Sequence, residues 1–168
     1  MSARRRRWKP ARVAFLAKIG LGLLLLAGLT PGPGRAATTE RIVTDPNRGL
    51  ALSGFDPVAY FTDARAVAGK PEFELQVPDA IWRFRSAGNK AAFAANPEIY
   101  QPRYGGYDPM ALGRGIAVAG NPTIWLVIGE RLFLFYTPQS RDTFGRDPET
   151  AAAAADERWP DVMKGLAQ

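Results

Sequence analysis

The chain has 168 residues, with 22 Lys or Arg against 16 Asp or Glu, and it contains no Cys and no His. The lack of these two residue types excludes a cysteine nucleophile, a Ser-His-Asp triad and a metal cage of thiolates and imidazoles. Residues 1–36 hold 8 of the basic residues and none of the acidic ones, which leaves 14 basic against 16 acidic residues and a net charge of −2 for the rest. The basic pI of the whole chain therefore gives no reason to expect a nucleic-acid partner.

The N-terminus comes first in chain order and is typical of an export signal. A basic start is followed by an apolar run at residues 19–29 and by small residues that end at Ala36. This pattern predicts a cleaved signal at residues 1–36 and a mature protein in the periplasm or outside the cell, with membrane contact only through the signal before cleavage. The alternative is an uncleaved anchor over residues 13–29, although Lys18 interrupts it and a span needs about 20 apolar residues.

The rest of the chain contains an internal repeat. Its landmarks recur in the same order, at a spacing of first 52 and then 51 residues. They are residues 54–59 and 106–111, residues 66–71 and 117–122, Phe93 and Phe144, and residues 96–98 and 147–149. Repetition at a fixed period predicts two copies of one structural unit. The predicted organisation is a leader at 37–49, a first unit at 50–104, a second unit at 105–150 and a C-terminal helical tail at 151–168.

Both units predict the same series of elements. An Asp-Pro pair starts a short helix, because Asp accepts hydrogen bonds from free backbone N–H groups and Pro suits the first helical position. Two aromatic and β-branched runs then predict a hairpin, and a second helix begins at Ser86 or Thr137 and ends before a proline. The predicted fold is α+β, with two similar helix/β-hairpin/helix units around a shared antiparallel sheet. We expect the alanine-rich C-terminal helix to end near Arg158 because Pro160 interrupts it, with Trp159 packed against the body.

The motifs "ALSGFDPVAYF", "FAANPEIY" and "YGGY" and the late Trp-Pro pair resemble those of exported YHS-domain proteins. The YHS domain is a small module related to metal-binding TRASH-type modules. The similarity extends from about Leu50 to Trp159. It implies an α+β fold and an association with metal in some members of the family.

This chain lacks the cysteines that bind metal in the metal-associated members of that family. Metal-associated YHS members have cysteines where this chain has Ala59, Arg85 and Asn89, and exported members commonly have one where it has Asp108. Soft ions such as Cu(I) prefer thiolate or thioether ligands. No cofactor is therefore expected, and a hard metal ion bound by oxygen ligands is the alternative.

Two carboxylates, Asp56 and Asp108, occupy the same place in the two units. Both are explained as helix caps, and the alternative is that they hold a hard cation or act as an acid/base pair. If they are only caps, replacement by Asn should leave stability nearly unchanged, whereas Ala should cost about 1 kcal/mol.

The candidate ligand-binding residues lie around the glycine pair at 105–106. Tyr60, Tyr104 and Tyr107 with Arg103 combine apolar rings, polar tips and one cation, which suits either a small-ligand cleft or a packed linker.

These observations favour a non-catalytic module that binds a small molecule or an envelope protein. Metal handling through carboxylates is the second hypothesis, and a carboxylate-based hydrolase is the third. A nucleic-acid partner is not expected. The alternation of Trp82 and Phe84 with arginines has the period of a half-buried strand, and the predicted mature chain is exported and net acidic.

Overall fold

The computed structural model describes residues 41–166, and the predicted export signal lies outside this range. The helices are α1 (Ala59–Thr62), α2 (Ala87–Ala95), α3 (Pro97–Tyr100), α4 (Pro109–Leu112), α5 (Pro138–Arg146) and α6 (Pro148–Leu166). The strands are β1 (Lys70–Val77), β2 (Ala80–Phe84), β3 (Asn121–Ile128) and β4 (Arg131–Phe135). Short 3-10 turns, Leu52–Gly54 and Arg103–Gly106, precede α1 and α4. Among the described residues, no helix is both long enough and apolar enough to cross a membrane.

The two halves of the described chain have the same order of elements. Each half contains a 3-10 turn, a one-turn helix, a hairpin and a nine-residue helix, and the second hairpin begins 51 residues after the first. Phe93 and Phe144 occupy equivalent core positions, since each packs on two rings of its own hairpin. The ring centroids lie 4.8 and 5.2 Å from Phe93 and 4.9 and 5.2 Å from Phe144. The repeated sequence thus corresponds to a repeated structure.

The four described strands form two separate antiparallel sheets, β1 with β2 and β3 with β4. The α+β class and the C-terminal helix are confirmed, but the two hairpins do not share one sheet. They are joined by side chains instead, because β4 is buried on both faces. Leu132 and Leu134 pack into the core of the first unit, whereas Phe133 and Phe135 pack into that of the second. One strand therefore contributes to both cores.

Helix α6 continues through Pro160 to Leu166, so the expected end near Arg158 is wrong. A proline inside a helix removes one backbone hydrogen bond and costs about 3 kcal/mol. Burial on both sides of Pro160 opposes this cost. Trp159 packs on two tyrosines of the second core at ring distances of 5.8 and 6.0 Å, and Leu166 is buried at the end of the helix. The expected anchoring role of Trp159 is confirmed.

A short segment of the leader, residues 42–44, lies across the junction of the two units, and we call it the strap. Ile42 packs against the first core and Val43 against the second. The backbone N–H of Val43 donates to the Gly105 carbonyl at 2.8 Å. Gly105 has a φ of +61°, and a Cβ there would lie 1.8 Å from the Arg41 carbonyl oxygen. The close approach of the strap therefore requires glycine at this position.

We predict that Gly105→Ala destabilises the protein more than Gly115→Ala. Gly115 also has a positive φ, +76°, but a Cβ there would meet nothing within 4 Å. Both variants carry the cost of a left-handed backbone, about 1–2 kcal/mol, and only Gly105→Ala must also move the strap. Denaturant unfolding measures the difference. Equal losses of stability would contradict the close contact between the strap and Gly105.

Candidate functional site

Asp56 is a fully buried carboxylate, with 0% of its surface exposed. Its Oδ1 accepts a hydrogen bond from the backbone N–H of Val58 at 2.9 Å. Its Oδ2 accepts from the backbone N–H of Arg85 at 2.8 Å and from the side-chain amide of Asn89 at 2.7 Å. Asp56 therefore connects the turn before α1 to the end of β2 and to α2. The N-cap position of α1 is Val58 and has no side-chain cap, so the prediction that Asp56 caps this helix is wrong.

Asp108 makes the same type of connection in the second unit and is 1% exposed. Its Oδ1 caps α4 by accepting from the backbone N–H groups of Met110 at 2.8 Å and Ala111 at 3.4 Å. Its Oδ2 accepts from the backbone N–H of Tyr136, just after β4, at 2.9 Å. The structure thus assigns Asp108 to helix capping and adds a second contact that local capping rules do not include.

This second contact changes the expected effect of an amide substitution. An Asn side chain has one acceptor oxygen and one donor NH₂ group, whereas both oxygens of Asp108 accept from backbone N–H groups. In Asp108→Asn one of these N–H groups would face the NH₂ donor of a buried side chain. Capping by itself suggested that Asn would be neutral, and the geometry does not support that expectation.

We predict that Asp108→Asn lowers the free energy of unfolding by about 1–3 kcal/mol, the cost of a buried donor without a partner. Asp45→Asn is the matched control, because Oδ1 of Asp45 accepts from the backbone N–H groups of both Asn47 and Arg48 at exposed positions. A single amide oxygen can replace that acceptor, so this variant should be close to wild type. Urea unfolding of both variants tests the comparison, and a neutral Asp108→Asn would restore the simple capping interpretation.

The resemblance to YHS domains marks Ala59, Arg85 and Asn89 as cysteine positions, and all three residues lie around Asp56. Arg85 and Asn89 donate to its Oδ2, and the backbone N–H of Ala59 lies 3.3 Å from its carbonyl oxygen. The fourth position, Asp108, occupies the equivalent place in the second unit. Within residues 41–166, no group of three or more acidic residues could hold a metal ion. Metal handling through Asp56 and Asp108 stays a prediction.

The four residues predicted to bind a ligand do not form one cluster. Tyr60 lies in the first core, where its hydroxyl donates to the Pro122 carbonyl at 2.8 Å and its ring meets Trp125 edge-on at 5.2 Å. Burial, followed by the negative charge of Asp56, raises the pKa of Tyr60. Tyr60 therefore connects the two units as a packed side chain.

Tyr104 and Tyr107 belong to the second core, where they are 5% and 3% exposed. The Tyr104 hydroxyl donates to Asp156 Oδ1 at 2.9 Å, and Arg103 pairs with the same oxygen at 2.8 Å while its guanidinium lies 5.2 Å from the Tyr104 ring centre. These contacts bind α6 to the second unit. Of the two alternatives for this cluster, the geometry describes packing, and ligand binding there stays a prediction.

A polar groove opens beside Asp108 in the second unit and was not anticipated from the sequence. Its volume is about 210 Å³ when measured for the centre of a water molecule. That is less than the volume of about 300–1,000 Å³ that is typical of drug-sized ligand sites, so the groove has room only for a smaller ligand. The lining residues are Met110, Arg114, Thr137, Gln139, Ser140 and Thr143. They come from the end of α4 and from the first turns of α5.

At the equivalent place in the first unit, the side chains pair with one another. Asn89 covers Asp56 through a 2.7 Å hydrogen bond, and Arg85 forms an ion pair with Asp63. At a spacing of 51 residues, the second unit has Ser140 in place of Asn89, Tyr136 in place of Arg85 and Arg114 in place of Asp63. The substitutions remove the ion pair and leave a cation at the groove. Only the comparison of the two copies could have indicated this from the sequence.

Comparison with protein-family models, with curated proteins and with solved structures gave no match. A functional assignment for this chain therefore depends on its own fold and on the geometry of these residues.

We predict a loss of stability between about pH 10 and 12 that depends on Tyr104. Burial, and then the hydrogen bond and charge of Asp156, raise the pKa of Tyr104 from 10.0 to about 12. Because the folded state holds this proton more tightly, its contribution to stability is complete below pH 10 and disappears as the pH rises through 12. Unfolding midpoints measured across this range should fall less steeply in Tyr104→Phe than in wild type. If the midpoints of wild type and Tyr104→Phe fell with the same slope, folding would not raise the pKa of Tyr104.

Proposed function

We propose that this protein is an exported, non-catalytic binding module of YHS type that holds a small anionic ligand in the groove of its second unit. The observation that carries the proposal is the difference between the two copies. In the first unit Arg85 pairs with Asp63, and the second unit has Arg114 at the position of Asp63. A copy without its own acid leaves a cation available to a ligand.

The electrostatics of the groove support an anion. The Arg114 side chain is exposed and has no hydrogen-bond or ion-pair partner within the described part of the chain. The groove also includes the beginning of α5. Pro138 has no N–H group and the Ser140 N–H donates to Thr137 Oγ1, so Gln139 supplies the remaining backbone N–H of the first three helical residues. The buried carboxylate of Asp108 also has a negative charge. That charge is compensated by the hydrogen bonds that its two oxygens accept from backbone N–H groups.

The polar side chains of the groove suit a ligand with several oxygen atoms. Thr137, Ser140 and Thr143 offer hydroxyls, and Gln139 offers an amide. Tyr136 directly precedes this group and is 63% exposed, so its ring is available to an apolar part of the ligand. Carboxylates and phosphates of small molecules have the required chemistry.

The non-catalytic part of the proposal rests on the carboxylates. The two fully buried aspartates, which are the residues best placed to act as a paired acid and base, have both oxygens bonded to backbone or amide donors of their own units. These bonds give the aspartates a complete structural role without any substrate.

We predict that succinate and inorganic phosphate bind in the groove, that an uncharged polyol such as glycerol does not, and that Arg114→Gln weakens binding at least about tenfold. Loss of one charge-assisted contact corresponds to about 1.5–3 kcal/mol. Titration followed by amide chemical shifts should move Gln139, Ser140 and Thr143 first. Arg65→Gln, an exposed arginine of the first unit, is the control and should bind like wild type. Shifts that are unchanged in Arg114→Gln, or confined to the first unit, would refute the groove as the site.

A further inference from the structure

A second cavity lies between the two units beneath the strap. Its volume is about 20 Å³ when measured for the centre of a water molecule. By that measure one water needs about 10–15 Å³. The residues that define its character are Ile42, Thr44, Ser53, Trp82, Pro122 and Leu134. The walls are thus mainly apolar, with two hydroxyls and one indole.

Trp82, which lines this cavity, carries a polar group that has no partner among the described residues. Its side chain is 0% exposed, and Nε1 has no hydrogen-bond partner among the described residues. A buried N–H group without an acceptor costs about 1–3 kcal/mol. Such a group is therefore expected to have an acceptor that the protein itself does not provide.

The repeat shows that packing alone does not require the indole N–H. At a spacing of 51 residues, the counterpart of Trp82 is Phe133. Each packs on the phenylalanine of its own unit, Trp82 on Phe93 at 4.8 Å and Phe133 on Phe144 at 4.9 Å. A phenyl ring is therefore sufficient for packing at this position of the second core. The indole of Trp82 differs from it by carrying an N–H group.

The backbone beside the cavity is also strained. Leu52 and Ser53 have φ values of 53° and 51°, in the left-handed region that residues other than glycine seldom adopt. The second unit has the same conformation at Tyr104 and Gly105, where glycine removes part of the cost. The strained conformation places Ser53 in the lining of the cavity. Strain of this kind is often found at sites that bind something.

We propose that the cavity binds one water molecule, which accepts a hydrogen bond from Trp82 Nε1–H and is enclosed by the strap. A buried water typically has two to four polar partners. Besides the indole, Ser53 and Thr44 bring hydroxyls to the lining, one from the first unit and one from the strap. Ser53 is an exposed residue and Thr44 is half-buried. The water thus links the strap to the core of the first unit, at a site separate from the groove beside Asp108.

The first test is a crystal structure of the protein and of Trp82→Phe. We expect an ordered water within about 3.2 Å of Nε1 in wild type and none at that position in Trp82→Phe, which should fold because the second unit already uses phenylalanine there. A cavity without density, or an Nε1–H that donates to a protein atom, would overturn the proposal.

The second test uses hydrogen exchange of the indole N–H, assigned by its absence from the spectrum of Trp82→Phe. If the strap encloses the water, Gly105→Ala should accelerate this exchange about tenfold or more, as expected when local opening becomes easier by about 1.4 kcal/mol. Gly115→Ala, which carries a similar φ but no contact with the strap, should exchange like wild type. Fast exchange already in wild type would show that the strap does not close the site.

Discussion

Each unit of this fold depends on one buried carboxylate that accepts hydrogen bonds from its own backbone. Asp56 and Asp108 connect the start of a short helix to the residue that comes after the hairpin, Arg85 or Tyr136. A helix of one turn cannot be stable alone, so its position is fixed by this contact and by the core beneath it. Because the main donors are backbone groups, the connection does not restrict which side chains the neighbouring positions carry. The two copies could therefore diverge at their surfaces without losing the scaffold.

The divergence is clearest where the two units differ in charge. The first unit has an acid at Asp63 and a base at Arg85, which form an ion pair. The second has Arg114 and Tyr136 at the corresponding places, with Tyr136 exposed. The first arrangement satisfies its charges internally, whereas the second exposes a cation and an aromatic ring beside a groove. The duplicated unit thus keeps one scaffold while its two copies carry different charges on their surfaces.

The sequence predicted the features that depend on local pattern and on repetition. The hairpins, the capped helices and the equivalent places of Phe93 and Phe144 follow from periodicity and from the spacing of the two copies. The second contact of each carboxylate was not predictable, because Asp108 and Tyr136 are 28 residues apart and capping rules consider only the next two or three. The division of the tyrosine cluster between two cores was missed for the same reason. The Tyr60 hydroxyl donates a hydrogen bond to the Pro122 carbonyl, 62 residues away, and a local sequence pattern cannot predict a contact between residues so far apart.

The junction of the two units explains why separate sheets can form one body. Within residues 41–166 no strand ladder joins the hairpins. Cohesion comes from side chains of β4, from the hydrogen bond between Tyr60 and the Pro122 carbonyl, and from the strap, which reaches both cores through Ile42 and Val43. Side-chain packing tolerates small shifts between the units better than a hydrogen-bonded ladder does, because a ladder fixes the register of every residue. At a junction without a ladder, close contacts between particular residues must fix the position of one unit relative to the other. Gly105, where any side chain would meet the strap, makes one such contact.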